Sequence, residues 1–390
     1  MLALSYVRSV PRYAIVKAAA GRGRIATSEL SMLHLGDVPE PLLPGPQWRR
    51  VRPSLAGICG SDTAAITGHA SLYLDHLTSY PFVPGHEVVG VLEEDGSRVV
   101  VEPALGCQVR GLTPPCRQCQ AGWPGRCENV TEGDLEIGLQ TGYCASTGGG
   151  WGEVLVAHES QLHRVPEPLS DEAAVLIEPL ACCVHAALRG AAGDTVVVVG
   201  AGTIGLLTVA AIHRLAPPRR LMVVAKYPFQ REQALRLGAD VVVGPDEALQ
   251  RIRFQTGARR LGGKTDSILL GGADVTYECT GTAFALNQAV RFTRAGGHLI
   301  TVGMPGAERV DWAPIWQREL TVSGAYAYGL EAGGRSSFDI ALELAPELEL
   351  EHLCGPLFPL AGYRDAIDYA LKAGPLNAVK VAFDLRDLRV

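Results

Sequence analysis

The stretch "DTVVVVGAGTIGLLTVAAIHRLA", residues 194–216, decides the fold of this chain. Its first part is a run of β-branched residues with no polar alternation, the pattern of a strand covered on both faces. A glycine turn follows, and then an apolar helix. Gly200, Gly202 and Gly205 make G-x-G-x-x-G. Alone the pattern says little; between a buried strand and a helix it points to a dinucleotide. The first glycine permits the tight turn, the second lets a pyrophosphate approach the backbone, and the third lets helix and strand pack closely. Thr203 and Ile204 open the helix, where unpaired N–H groups can meet phosphate oxygens. The alternative is a plain strand–helix turn.

Outward from this stretch the texture continues. "SDEAAVLIEPLACCVHAALRGA" (170–191) reads as helical, "RLMVVAK" (220–226) as a strand, and "QREQALRLGAD" (230–240) as a helix ending at Gly238. "ADVTYECTG" and "GGHLITVG" read as further strands. The alternation predicts an α/β unit with a parallel, doubly wound (Rossmann) sheet. Cys279, Thr280, Val302 and Gly303 then end strands on the edge where the cofactor lies. Residues 1–150 differ: short valine-rich runs such as "RVVVEP", separated by Gly and Pro, predict a β-rich region. "ELTVSGAY" and "NAVKVAFDL" read as late strands. The expected plan is a β-rich domain over 1–182 and 325–390, with the dinucleotide-binding domain, 183–324, inserted. "FQTGARRLGGKTDSILLGG" (254–272) is expected to form a surface loop.

A NAD site places Asp or Glu about 20 residues beyond the glycine turn, against the ribose 2′-hydroxyl. Here Ala225 holds that position, with Lys226 beside it and Arg231 in the next helix. The missing carboxylate removes repulsion against a 2′-phosphate, and two cations can pair with it. NADP is favoured over NAD, which stays open; in the alternative the two cations are simply solvated.

Cys107, Cys116, Cys119 and Cys127 are spaced C-x8-C-x2-C-x7-C. Four thiolates can close a tetrahedral structural zinc site with no position left for substrate. The C-x2-C core lies amid Gly and Pro, which predicts a metal loop rather than a helix. Disulfides or free thiols are the alternatives. A catalytic zinc needs about three protein ligands and one open position. "AGICGSD" sets Cys59 in a glycine-rich turn, "GHE" sets His86 and Glu87 at the start of a strand, and "IEPL" sets Glu178 in an apolar segment where a lone carboxylate is costly. One metal among Cys59, His86 and Glu178, with Glu87 close by, accounts for them. A buried thiol, a core histidine and a solvated glutamate remain the alternative.

Together "VPEPLLPGP", "GICGSD", "GHEVVG", the four cysteines, "EPLACCVHA", "VGAGTIG", "ECTG" and "NAVKVAFDL" resemble the zinc-dependent medium-chain alcohol dehydrogenases, on the sorbitol and threonine dehydrogenase branch. The resemblance covers nearly the whole chain. It implies a GroES-like catalytic domain beside the Rossmann domain. It also implies a catalytic zinc on Cys59, His86 and Glu178, with Glu87 behind the metal and able to exchange onto it. Ser61 would begin a proton relay. Two zinc ions per chain and assembly as a homodimer or homotetramer follow from the same likeness, with "TVSGAY" as the interface strand. In this family zinc acts as a Lewis acid on the substrate oxygen while hydride passes to the nicotinamide. The chain departs from the pattern in several places. Eight residues rather than two separate the first two lobe cysteines, Ala64 replaces a relay histidine, the cofactor acid is absent, and segment 254–272 is long.

The substrate expected is a small alcohol or its carbonyl counterpart. An oxygen ligand at Glu178 favours a polyol or amino alcohol. Alternatives are an NADPH-dependent carbonyl reductase of secondary metabolism and a non-catalytic nucleotide-binding protein. Composition narrows the partners. The net charge is −6 with no basic block, so no nucleic-acid partner is expected. No apolar run is long enough to span a bilayer, and no signal peptide is read, so a cytoplasmic enzyme without a membrane partner is expected. Ten cysteines in a reducing compartment point to metal ligands or buried thiols.

Overall fold

The structure is a computed structural model that describes residues 1–19, 25–190, 193–263 and 267–389. The chain divides into two compact units, Met1–Glu178 with Ala327–Val390, and Pro179–Tyr326. The first division falls inside the helix Ile177–Arg189. Pro179 sits in its first turn, where its missing N–H has no partner to lose.

The first unit is built on a seven-stranded sheet. From one edge it runs Cys354–Pro359, Lys380–Asp384, Trp48–Gly57, Val88–Leu92, Arg98–Val101 and Leu162–Arg164, and Leu155–His158 also pairs with Trp48–Gly57. Its C-terminal strand lies antiparallel to Trp48–Gly57, with Ala382 opposite Gly57. On its other side Trp48–Gly57 pairs antiparallel with Val88–Leu92, Ala56 opposite Val88. Strand Trp48–Gly57 therefore sits between a segment more than 300 residues away in sequence and the "GHE" turn. Val51, Val88, Val99, Val101, Leu155 and Ala157 form one buried core of this sheet. A second gathers Leu4, Phe82, Trp151 and Phe383.

The second unit has a six-stranded parallel sheet in the order Val241–Val243, Arg220–Val224, Thr195–Val199, Ala273–Glu278, Thr293–Thr301, Thr321–Gly324. Every residue of Thr195–Val199 is buried, as its unbroken β-branched run requires. Order reverses between Thr195–Val199 and Ala273–Glu278, whose parallel register pairs Glu278 with Val199. At such a switch point the turns after adjacent strands diverge and leave a crevice.

Two expectations are corrected. Segment 254–272 is not a plain loop. Arg259–Leu261 and Ile268–Leu270 form an antiparallel hairpin, while residues 264–266 lie outside those described. Alternation drives it: Leu269 is buried in the core of the unit, while Leu261, Ile268 and Leu270 face outward. The C-x2-C core is not all loop either, since Arg117–Gln120 is a single helical turn with Cys116 at its N-cap. Among the described residues no helix is long and apolar enough to cross a membrane.

Candidate active site and metal centres

Three chain segments converge at the end of strand Trp48–Gly57. Cys59 follows the strand as N-cap of the helix Gly60–Ile66. His86 and Glu87 lead directly into Val88–Leu92, and Lys380 begins the C-terminal strand. Their ligand atoms meet: Cys59 Sγ, a His86 ring nitrogen and a Glu87 oxygen lie within 4.8 Å of one another. Close approach requires a glycine between them. A Cβ at Gly57 would stand 2.0 Å from Glu87 Oε2, and Gly57 N–H donates to the Glu87 carbonyl at 2.8 Å.

Charge in this pocket is arranged in pairs. Lys380 Nζ donates to Glu87 Oε1 at 2.7 Å and Oε2 at 2.5 Å, both side chains being buried. Asp62 is buried too. It accepts from the Cys59 amide at 2.9 Å and the Tyr143 hydroxyl at 3.0 Å, and its Oδ1 lies 3.6 Å from His86 Nδ1. Burial alone would push the His86 pKa down; the negative charges of Asp62, Cys59 and Glu178 instead hold it well above the ordinary value. Burial raises the Asp62 pKa. His86 Nδ1 and Ser61 Oγ are buried without a hydrogen-bond partner. A buried site with surplus anionic donors and unpaired polar atoms suits a cation, and the S, N, O donor set suits zinc.

Glu178 is buried in the first turn of Ile177–Arg189, where the helix dipole favours a carboxylate. Its charge reaches His86, but its oxygens are not within the 4.8 Å cluster of Cys59, His86 and Glu87. Sequence reasoning missed Asp62, Tyr143 and Lys380. Asp62 carried a signal, since an acid three residues after a helix N-cap can bind the cap's own N–H. Lys380 also did, as a cation flanked by valines at the start of an apolar strand. Tyr143 had none.

In the second candidate metal centre the sulfurs of Cys107, Cys116, Cys119 and Cys127 lie within 4.8 Å of one another. Cys107 and Cys127 are 3.6 Å apart, close to the ~3.8 Å edge of a tetrahedron with zinc–sulfur bonds of about 2.3 Å. None of the ten cysteines is in a disulfide. Backbone amides of Cys116, Cys107, Glu128 and Asn129 donate to these sulfurs at 3.3 to 3.5 Å. Burial opposes ionisation of Cys116, yet hydrogen bonds led by the Glu128 amide bring its pKa down to about 6. Burial holds Cys127 up, to about 11. Without a cation the four are not all thiolates at neutral pH, and a bound metal would make them so. Arg110 lies within the long first interval. Fully buried, it donates to the carbonyls of Leu105, Glu132, Leu135, Glu136 and Gly138 at 2.6 to 3.4 Å, tying the enlarged lobe together.

In the second unit the G-x-G-x-x-G turn connects Thr195–Val199 to the helix Thr203–Leu215. A Cβ at Gly205 would lie 2.0 Å from the Gly200 carbonyl oxygen, whereas one at Gly202 would meet nothing within 4 Å. Space at Gly202 is thus left open on the outside of the turn. Ala225 is buried at the end of Arg220–Val224. Arg231 Nε donates to its carbonyl at 3.0 Å, and the Lys226 ammonium lies 5.4 Å from the Tyr227 ring centroid. Cys279, Thr280, Val302 and Gly303 follow the adjoining strands.

Comparisons with known proteins agree with this architecture. The family profile described as "Alcohol dehydrogenase GroES-like domain" matches residues 45–167, and "Zinc-binding dehydrogenase" matches residues 203–346. An L-threonine 3-dehydrogenase of Streptomyces avermitilis is 30% identical, over 85% of this chain and 90% of its own. An L-idonate 5-dehydrogenase of Vitis vinifera is 27% identical, over 87% and 89%. The crystal structure of a putative zinc-binding dehydrogenase from Sinorhizobium meliloti, bound to NADP, is 26% identical with TM-score 0.69, covering 98% of this chain and 99% of that one. The chain belongs to the zinc-dependent medium-chain alcohol dehydrogenase family, as its motifs imply. It is an oxidoreductase of that class, with the GroES-like and Rossmann folds expected from its sequence.

Proposed function

We propose that this enzyme transfers hydride between NADP and a polyol or amino alcohol, using one catalytic and one structural zinc per chain. The observation that carries this reading is the convergence of half-buried Cys59 with buried His86 and Glu87, with orphaned polar atoms on His86 and Ser61. Cys59, His86 and Glu178 would hold the catalytic metal, and Cys107, Cys116, Cys119 and Cys127 the structural one. When bound, the catalytic zinc supplies Lewis-acid polarisation of the substrate oxygen.

The chain's own residues do the rest. Asp62 sets a negative charge 3.6 Å from His86 Nδ1 and braces the Cys59 turn. Lys380 donates to both oxygens of Glu87 and so balances the charge of that carboxylate beside Cys59 and His86. Ser61 Oγ, buried and without a hydrogen-bond partner, would receive the hydroxyl proton. Gly202 leaves room for the pyrophosphate, with Gly200, Thr203, Ile204 and Gly205 shaping the turn. Beside Ala225, Lys226 and Arg231 would receive the 2′-phosphate, which is why NADP is favoured over NAD. Relatives named for idonate, sorbitol and threonine fit a polar, hydroxylated substrate. The absent cofactor acid also favours a second reading, a reductase working from carbonyl to alcohol. The exposed edge strand Thr321–Gly324, with Val322 turned outward and Trp312 and Trp316 exposed, supports assembly as a homo-oligomer. Ten cysteines without a disulfide among them suit work in the reducing cytoplasm.

The test is nicotinamide reduction against a panel of polyols, aldoses, amino alcohols and simple alcohols, with NADP and NAD in parallel. Cys59→Ser and His86→Ala should each abolish turnover with the fold retained; activity surviving in both would sink the catalytic assignment. Ala225→Asp with Lys226→Ala should shift preference toward NAD, and unchanged preference would show the ribose site misplaced.

A further inference from the structure

We propose that Glu278 is a positioning residue for the dinucleotide. Its carboxylate, buried at the end of strand Ala273–Glu278, folds the following turn into part of the cofactor's seat without touching the cofactor. The inference rests on the cofactor site described above.

Glu278 is 0% exposed, and no ion pair to it occurs among the described residues. An uncompensated carboxylate there would be costly. Its compensation comes entirely from the turn it precedes. Oε1 accepts from the Thr280 amide at 2.8 Å, the Thr280 hydroxyl at 2.6 Å and the Gly281 amide at 3.1 Å. Oε2 accepts from the Gly281 amide at 3.1 Å. Two consecutive N–H groups are thereby turned inward, and the turn cannot reorient without stranding a buried anion.

That turn is packed against two other turns at this sheet edge, by the Thr280 methyl on one and backbone on backbone on the other. A Cβ on Gly200 would stand 2.4 Å from Thr280 Cγ2, so the Thr280 methyl rests on the glycine turn. A Cβ on Gly303 would lie 2.5 Å from both the Thr280 and Gly281 nitrogens, the two amides the carboxylate holds. The main chain of Glu278 fixes the third turn: its carbonyl accepts from the Val302 amide at 2.8 Å and the Gly303 amide at 2.9 Å. One residue therefore sets the turn beside the glycine loop at the switch point and the next turn along the same sheet edge, where a dinucleotide's pyrophosphate and nicotinamide halves must be held at once. Its burial leaves it no route to the ligand, so its effect is exerted through the shape of the turns.

The experiment uses the zinc-loaded full chain, wild type, Glu278→Gln and Glu278→Asp. NADPH and NADH are titrated by fluorescence, and turnover is followed with the panel substrate that gives the strongest signal. In Glu278→Gln a carboxamide N–H2 must face amide donors. The NADPH Kd and the NADP KM should rise about tenfold, the effect of one lost charged hydrogen bond. Saturating kcat, substrate KM and zinc content should stay within about twofold. Glu278→Asp keeps the charge and should lose less, and it decides the matter if the Gln chain does not fold. Wild-type NADPH affinity in a folded variant would overturn the inference. So would kcat and zinc content falling in step with affinity, the mark of a general structural defect. Wild-type protein that binds neither nucleotide would instead overturn the cofactor reading, and this inference with it.

Discussion

Replacing Lys380 by Met should destabilise the first unit by about 3–5 kcal/mol, the range for removing one partner of a buried ion pair. The magnitude follows from the geometry. Both side chains are buried, and Lys380 Nζ meets the two Glu87 oxygens at 2.7 and 2.5 Å and the Ile58 carbonyl at 3.4 Å. Met fills similar volume, so little of the loss would come from packing. What remains is a carboxylate under strand Trp48–Gly57 with no cation beside it. The double variant K380M/E87Q removes both charges. It should recover most of the loss, because paired buried charges contribute little net stability against neutral groups of like size. Urea unfolding followed by tryptophan fluorescence reads this unit well: Trp151 is fully buried in it, while Trp312 and Trp316 of the other unit are 68% and 82% exposed. Zinc content is measured on each sample so that altered metal loading is not taken for pair energy. Burial opposes the Lys380 charge, but Glu87 and its neighbours raise its pKa above 10.5. The pair's contribution is therefore fully present below pH 10.5 and is lost as pH rises through the folded-state pKa. A loss under about 1 kcal/mol for K380M, or strict additivity in the double variant, would refute the reasoning.

Cys116→Ser should remove about one zinc per chain and leave the catalytic metal bound, measured by atomic emission; loss of both metals would refute separate centres. Arg110→Met strands five carbonyls, and should cost more than about 3 kcal/mol and expose the lobe to proteolysis; an unchanged cleavage pattern would contradict its role as the internal tie. Burial lowers the His158 pKa below 6.5, so the unfolded chain binds the extra proton first and stability should fall as pH drops below 6.5. His158→Gln should flatten that part of the thermal-midpoint profile, and a profile as steep as that of the wild type would assign the dependence to another group.

Several of these groups can be read from the sequence alone. The glycine turn and the cysteine lobe are legible because their chemistry is contiguous: a strand, a turn and a helix in 23 residues, and four thiols within 21. "GHE" is legible as an anomaly, two titratable residues where the neighbours are buried. The hairpin at 259–270 is not. Its alternation is short, and only the packing of Leu269 into the core distinguishes it from a polar loop.

The sequence by itself determined the two folds, the dinucleotide turn, the absence of the ribose acid and the candidate ligands. Each of these is a local property, set by periodicity, by backbone freedom at glycine or by side-chain type. Tertiary structure alone decided what surrounds them. It places Lys380 on Glu87 across 293 residues, brings Tyr143 to Asp62 across 81, and wraps Arg110 in carbonyls from a later segment. It also sets Glu87, rather than Glu178, among the closest donors to Cys59 and His86. The physical reason is that a buried charge is stable only with its partner in place, and strand pairing, which no local pattern encodes, determines which distant residue that partner is.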